Sequence, residues 1–203
     1  VTSFQTYASA AGAFAELVRA IPESAWEQPA LGVWDVRSLV GHTSRSLTTV
    51  STYLQTHADH EDVPDAVDYY VRMRDYAAGM GGDAVAERGR QAGRDLGADP
   101  AAAVDALVQR VLGELADVDD PLIEVIGGLG IKLSSYLPTR VFELAVHGLD
   151  LIAATGVDVA IPDEVLAEAT VLAARISVAL GTAETVLMAL TGRTQLPPSF
   201  SVV

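Results

Sequence analysis

The hydrophobic positions of this chain repeat mostly at helical spacing. Between Thr2 and Ile21, Phe14, Leu17 and Val18 mark one face, and Pro22 stands just beyond, so the pattern predicts a first helix. Ser24 to Pro29 reads as a loop. After Gly32-Val33-Trp34, Val36, Val40, Leu47 and Leu54 form an apolar stripe with Asp35 placed as N-cap, which predicts a second helix. His42 falls about two turns into it. His57 to Asp65 is a charged connection, and Pro64 suits the first turn of a third helix carrying Tyr69, Tyr70, Val71, Met73 and Tyr76. Gly79-Met80-Gly81-Gly82-Asp83 interrupts that helix. Asp99-Pro100 is a capped start for a further helical stretch through Leu107, Val111, Leu112 and Leu115, which ends near Val118-Asp119-Asp120-Pro121.

From Ile123 to Leu133 the residues are apolar and β-branched, with Gly127, Gly128 and Gly130 inserted, which predicts an extended excursion or hairpin. Ser134 or Ser135 then caps a helix bearing Glu143 and His147, with Pro138 in its first turn and Gly156 as terminator. Ile161-Pro162-Asp163 opens a helix through Leu180. Thr182 caps a shorter one ending at Thr191-Gly192-Arg193, and Gln195 to Val203 reads as extended. The pattern therefore predicts an all-α chain, an antiparallel bundle of four main helices. We divide it into residues 1–156, the bundle, and 157–203, a short C-terminal helical extension packed on it.

Composition narrows the chemistry. The 203 residues are 50% hydrophobic and only 6% aromatic, enough for one sizeable core dominated by Ala, Val and Leu. There is no cysteine, so any metal must be held by imidazole and carboxylate, and any reacting thiol must come from outside. Thirteen basic against 27 acidic residues give a formal charge of −14, which would repel a phosphate backbone and argues against nucleic acid as a partner. The first twenty residues lack a basic segment followed by an unbroken apolar core, and no stretch approaches the roughly 18 apolar residues that span a bilayer. The expectation is a cytoplasmic protein without a membrane partner.

Candidate chemistry gathers in one predicted helix. Glu143 and His147 lie four apart, so both side chains share one face, roughly 5–6 Å apart at Cβ, a spacing that suits two ligands of one metal ion. A third ligand from another helix would complete an open zinc-type site. The same spacing describes an ordinary solvated ion pair, and His42, bordering an apolar stripe, equally suits a satisfied half-buried histidine. Arg140 and Asp150 fall on the stripe of Glu143 and His147, opposite Val141, Leu144, Ala145 and Ile152. His57 and His60, in their acidic loop, read as solvated. Gly127-Gly128-Leu129-Gly130 lacks the strand-turn-helix context of a phosphate loop, and Ser134 and Ser135 lack the partners of a hydrolase triad.

Three stretches carry a resemblance. Leu31-Gly32-Val33-Trp34-Asp35-Val36-Arg37-Ser38-Leu39-Val40-Gly41-His42 resembles the "L-G-x-W-[ST]-V-R-D-L-x-x-H" segment of the DinB-like superfamily, in its mycothiol-dependent maleylpyruvate isomerase branch. Arg140 to Leu151 resembles that branch's "R-x-x-E-x-x-x-H-x-x-D" helix, and Ala189-Leu190-Thr191-Gly192-Arg193 its C-terminal "L-x-G-R" segment. Asp35 and Ser38 depart from the first pattern by exchanging capping residues. The region after Gly156 is shorter than the C-terminal domain of the founding isomerases, which leaves the substrate open.

The resemblance implies a DinB/YfiT-like four-helix bundle with short additional C-terminal helices. It implies His42, Glu143 and His147 as ligands of Zn2+ or another divalent transition metal, with an open fourth position, and mycothiol as the low-molecular-weight thiol. It implies an enzyme, an isomerase or an S-transferase, acting on a small electrophilic molecule. A thiolate adding to a conjugated cis double bond permits rotation and, on its expulsion, leaves the trans isomer. Arg193 is the candidate for the substrate's carboxylate, or else an arginine facing a helix C-terminus. Asp150 is the candidate for orienting His147, or else a surface ion-pair partner. Trp34 would line the pocket mouth, or else anchor packing. Twelve arginines against the single Lys132 fit a GC-rich genome such as those of the actinobacteria that make mycothiol. Two other readings stand beside these: a metal-dependent hydrolase, and a non-catalytic metal- or ligand-binding helical module, for which a homodimer is one assembly.

Overall fold

The computed structural model describes residues 2–80 and 82–203, and the side chains of residues 75–83 lie outside what is described. Along the chain run α1 (Ser3–Ala20), a 3-10 turn (Glu23–Ala25), β1 (Pro29–Leu31), β2 (Trp34–Asp35), α2 (Val36–Tyr53), α3 (Ala66–Met80) and α4 (Gly82–Asp95). Then follow α5 (Pro100–Leu115), β3 (Leu122–Val125), β4 (Leu129–Lys132), α6 (Leu133–Thr155), α7 (Asp163–Ala179) and α8 (Ala183–Leu190). The fold is all-α, as the pattern predicts. α1 and α2 each pack against both α5 and α6, so these four helices close a ring around the core.

Each helix of the ring supplies an apolar stripe. Tyr7, Phe14, Leu17 and Val18 come from α1, Leu39, Val40, Leu47 and Val50 from α2, Val104, Val108, Val111 and Leu115 from α5, and Leu137, Val141, Leu144 and Leu151 from α6; all are buried. At roughly 1.5–3 kcal/mol for each fully buried large side chain, this stripe-on-stripe contact is the main stabilising contribution. α2 is rich in Ser and Thr yet runs through the interior, because those hydroxyls bond back to the helix: Thr43 to the Leu39 carbonyl, Ser44 to Val40, Thr49 to Arg45. Two buried hydroxyls tie the ring across: Tyr7 donates to the Ser46 carbonyl at 3.0 Å and Tyr136 meets Thr49 Oγ1 at 3.1 Å.

The helix starts are local in cause. Thr2 caps α1 in a reciprocal box with Gln5, Asp35 accepts from the Ser38 amide at 2.8 Å, and Asp99 caps α5 ahead of Pro100. Two starts differ from expectation. In α3 it is Asp65, rather than Pro64 in a first turn, that accepts from the Val67 and Asp68 amides. The first turn of α6 is not capped by its own Ser134 or Ser135; it begins at Leu133, and Asp120 accepts from both the amide and the hydroxyl of Ser134. Pro138 accordingly lies inside α6. Gly156 ends α6 in the left-handed conformation, φ 69°.

The excursion predicted over Ile123 to Leu133 is the β3–β4 hairpin, turned by Gly127 and Gly128 at φ 82° and 73°. Its Gly130 carbonyl accepts from the amides of Asp62 and Val63, which fastens the charged connection after α2 to the hairpin. β1 and β2 form a second, very short pair within the stretch read as loop and cap. α7 buries Val165, Leu172 and Ile176 against α1, α3 and α6, and α8 packs on α7. The tail after α8 is irregular, with a turn at Pro198-Ser199 instead of a continuous extended segment.

α4 is the element that apolar spacing does not announce. Its inward positions are Ala86, Gly89 and Gly93, small residues at i, i+3 and i+7, and they let α4 lie directly on α2. A Cβ on Gly41 would come 2.1 Å from the Gly93 backbone nitrogen, and one on Gly89 would meet the Trp34 ring at 2.6 Å. The Trp34 indole N–H donates to the Ala86 carbonyl at 2.9 Å, fixing the register. Of the predicted interruption at Gly79–Asp83, Gly81 lies outside the described residues, as does the Tyr76 side chain; α3 runs to Met80 and α4 from Gly82.

Gly41→Val in metal-stripped protein is expected to lower unfolding stability by about 1–3 kcal/mol, since two backbones must separate. Gly12→Ala, at an exposed position of α1 with open space around it, should raise stability by up to about 1 kcal/mol. Urea unfolding of both variants checks the pair, and a neutral Gly41→Val would show that the α2–α4 contact is not tight.

Candidate metal centre

α2 and α6 lie side by side in the ring, and their facing surfaces carry the ionisable groups. His42 of α2 and Glu143 and His147 of α6 bring one ligand atom each within 4.8 Å of one another, the arrangement of a three-donor cation site among the described residues. The i, i+4 pair behaves as its spacing predicts: His147 Nε2 lies 3.4 Å from Glu143 Oε2. Two donors bonded to one zinc ion at about 2.0–2.1 Å in a tetrahedron stand about 3.3 Å apart, so this edge fits such an ion without rearrangement. The His42 and His147 rings meet edge to face at 5.0 Å between centroids.

Neighbouring groups hold the remaining polar atoms of the donors. His147 Nδ1–H donates to Asp150 Oδ2 at 3.0 Å, so that on loss of the Nε2 proton the ring takes the tautomer with its Nε2 lone pair toward the centre. Tyr70, from α3, donates to Glu143 Oε1 at 2.8 Å and lies 3.1 Å from the Thr139 carbonyl, so Glu143 offers its other oxygen. The Trp34 ring packs on His42 at 4.4 Å between centroids and orients the imidazole from behind. Thus the sequence candidates Trp34 and Asp150 both touch a candidate ligand.

The electrostatics follow from half-burial. Burial, followed by the charge of His147, holds His42 down at about 4, so at neutral pH its imidazole is uncharged. For Glu143, burial alone would raise the carboxyl, but the His147 hydrogen bond, Arg140 and Tyr70 outweigh it and hold the group at about 2. For His147, burial would lower the imidazolium, yet the hydrogen bonds to Asp150 and Glu143 raise it to about 9. Burial and then the Glu143 charge push Tyr70 well above the ordinary phenol value, which keeps it a donor. Without metal, the site therefore holds a carboxylate–imidazolium pair beside a neutral histidine.

A cavity of about 200 Å3 opens on this centre, lined by His42, Arg45, Tyr69, Tyr70, Met73 and Val85, with Arg88, Ile126, Arg140 and Glu143 completing the wall. α2, α3, α4, α6 and the hairpin turn all contribute. Arg193 stands elsewhere: it is exposed beyond α8 and donates to its own Thr191 carbonyl at 2.7 Å, and it does not line the cavity. His60 is exposed and pairs with Asp62 at 2.9 Å, apart from the three donors. Ser134 and Ser135 bond to Asp120 and to the Pro64 carbonyl. Sequence reasoning placed Tyr70 in the third helix without a role and passed over Arg45; Arg45 could have been found by its i, i+3 spacing from His42 on α2, whereas Tyr70 reaches Glu143 from a separate helix.

A model of the family described as the mycothiol maleylpyruvate isomerase N-terminal domain matches residues 7–152, which takes in every donor of the centre. No curated protein and no solved structure matches the chain significantly.

The metal-free protein should be most stable near pH 6.5–7. His42, depressed to about 4, binds its proton more weakly folded than unfolded, so stability falls from about pH 6.5 towards 4, and Glu143 adds a further loss from its ordinary value near 4.5 down through 2. His147, raised to about 9, contributes stability that is complete below about 6.5 and lost as pH rises through 9. Urea midpoints against pH should show both limbs. His147→Gln should flatten the alkaline limb and, because His147 also helps to depress His42 and Glu143, make the acid limb shallower as well; an unchanged alkaline slope would contradict the assigned imidazolium.

Proposed function

The chain belongs to the mycothiol maleylpyruvate isomerase N-terminal domain family, and from that premise and the donor geometry we propose that it is a metal-dependent enzyme using a low-molecular-weight thiol such as mycothiol. In this reading His42, Glu143 and His147 hold a divalent transition metal, zinc being the ion that an N,N,O donor set without thiolate suits well. The substrate is a small electrophile that is isomerised or S-conjugated. The observation that carries the reading is a site of three donors, two of which, His42 and Glu143, line a cavity, since a closed structural zinc site uses four. When bound, the metal would supply Lewis acidity that lowers the pKa of a coordinating thiol.

The chain's own residues support that chemistry in distinct ways. Tyr70 restrains one Glu143 oxygen so that the carboxylate presents the other. Asp150 fixes the His147 tautomer, and as His147 turns from imidazolium to ligand its Nε2 proton must leave. Burial keeps His42 free of a competing proton. Met73, Val85 and Ile126 give the cavity apolar walls that exclude water from a thiolate, strengthening its nucleophilicity and slowing competing hydrolysis. With no cysteine in the chain, no internal thiolate competes with the incoming thiol.

Elemental analysis of untagged protein tests the reading first. Near-stoichiometric zinc in the wild type and its loss in His147→Ala are expected; a wild type that retains no metal after incubation with excess zinc would reduce the protein to a non-catalytic bundle. Turnover that persists without thiol would replace the thiol mechanism with a hydrolytic one. Tyr70→Phe and Asp150→Asn should each weaken zinc affinity by about 10–100-fold, measured by chelator competition. Zinc binding at pH 7 should release a proton from His147, seen as a buffer-dependent heat in calorimetry.

A further inference from the structure

The arginines of this protein differ in their surroundings. On the outside, Arg19, Arg72, Arg90 and Arg94 each lie within 4.0 Å of a carboxylate, and Arg37 reaches Glu27. Such pairing is expected where 27 acidic residues surround 13 basic ones. Arg74, Arg110, Arg175 and Arg193 have no such pair among the described residues but are exposed to water, whereas Arg45 and Arg140 lack a carboxylate pair without that exposure. Both are half-buried and both line the cavity beside the three donors. Among the described residues, the Arg45 guanidinium makes no hydrogen bond or ion pair, and Arg140 spends only its Nε, on Thr139 Oγ1 at 2.9 Å.

A half-buried guanidinium left without an acceptor is costly, because it loses water without regaining hydrogen bonds. Arg140 is also held in place: its guanidinium stacks over the rings of Tyr136 and Tyr69 at 5.0 and 5.7 Å, which fixes its plane while leaving both terminal nitrogens unengaged. Desolvation works against its charge, and the Glu143 carboxylate works for it. Arg45 follows His42 by three residues on α2, and Arg140 precedes Glu143 by three on α6. Each ligand-bearing helix thus sets a guanidinium one turn from its ligand, on the face turned to the same cavity.

We propose that Arg45 and Arg140 are the anion-recognition pair of this site, gripping a carboxylate-bearing electrophile from two sides while its reactive carbon faces the metal. This rests on the metal-and-thiol reading above and assigns to these residues the role that the sequence alone gave to Arg193. The planar fork of a guanidinium matches a carboxylate through two parallel hydrogen bonds, so the pair selects charge and orientation together. The cavity, at about 200 Å3, is below the usual 300–1,000 Å3 of small-molecule sites and sets a small upper size. The acidic exterior repels anions generally, which makes this the favoured place for one to settle.

The test is calorimetric binding of succinate, with dimethyl succinate as the neutral counterpart, to the full zinc-treated chain. Zinc content and thermal melting of every variant are measured alongside. Wild type should bind succinate and not the diester. Arg45→Gln should weaken succinate at least tenfold with zinc content unchanged; Arg140→Lys, which keeps the charge and loses the fork, should weaken it as well. Arg175→Gln, an exposed arginine of α7, controls for net charge and should stay within twofold. The pair is overturned if wild type does not bind succinate, if the diester binds equally, if Arg45→Gln binds as wild type does, or if Arg193→Gln alone abolishes binding. A protein that takes up no zinc yet loses succinate with Arg45→Gln would keep the pair and sink the metal reading. Full zinc and thiol-dependent turnover with succinate binding indifferent to Arg45 would do the reverse.

Discussion

Everything at the centre of this molecule depends on holding the Glu143 carboxylate ionised away from bulk water. Desolvation works against that charge, and no single partner offsets it. His147 one turn along, Arg140 nearly one turn back, and Tyr70 from a separate helix do so together. Because Tyr70 belongs to α3, the position of that helix against α6 is set by a hydrogen bond as much as by packing. Because His147 is itself secured by Asp150, the whole charged stripe of α6 faces inward as a unit. A helix that would otherwise show this stripe to solvent instead turns it to α2, where His42 and Arg45 meet it.

The same stripe explains how much of the site could be read from the chain. The i, i+4 spacing of Glu143 and His147 is a local fact of helix geometry, and it survives folding intact. Asp150 and Arg140 were legible on the same terms, as members of one face. The approach of His42 is a tertiary fact, settled by how α2 lies on α6, and only resemblance to a family pattern reached it. Tyr70 was harder still. On α3 it reads as one more large apolar residue, and its hydroxyl acquires meaning only when Glu143 comes within reach across 73 positions of sequence.

Fold class, the capped starts of α2 and α5, the hairpin and the Gly156 stop were legible because each depends on residues a few positions apart. α4 was not, for a physical reason. Sequence periodicity detects helices that bury large side chains, and α4 buries Ala86, Gly89 and Gly93, whose contribution is the absence of bulk. Likewise, the partner of the first turn of α6 is Asp120, before the hairpin, so no inspection of Ser134 and Ser135 alone reveals it.

The glycine seam between α2 and α4 has an implication for how such a protein diversifies. Gly41, immediately before His42, meets Gly93 backbone to backbone, so the wall α4 contributes to the cavity is registered on the ligand-bearing helix. Val85 projects into the cavity from this support, whose close contact lies at Gly41 and Gly93. Evolution can therefore rewrite the cavity's lining at Val85 while the donors stay where they are. Substrate range and metal chemistry become separable traits, inherited on different faces of one tightly joined pair of helices.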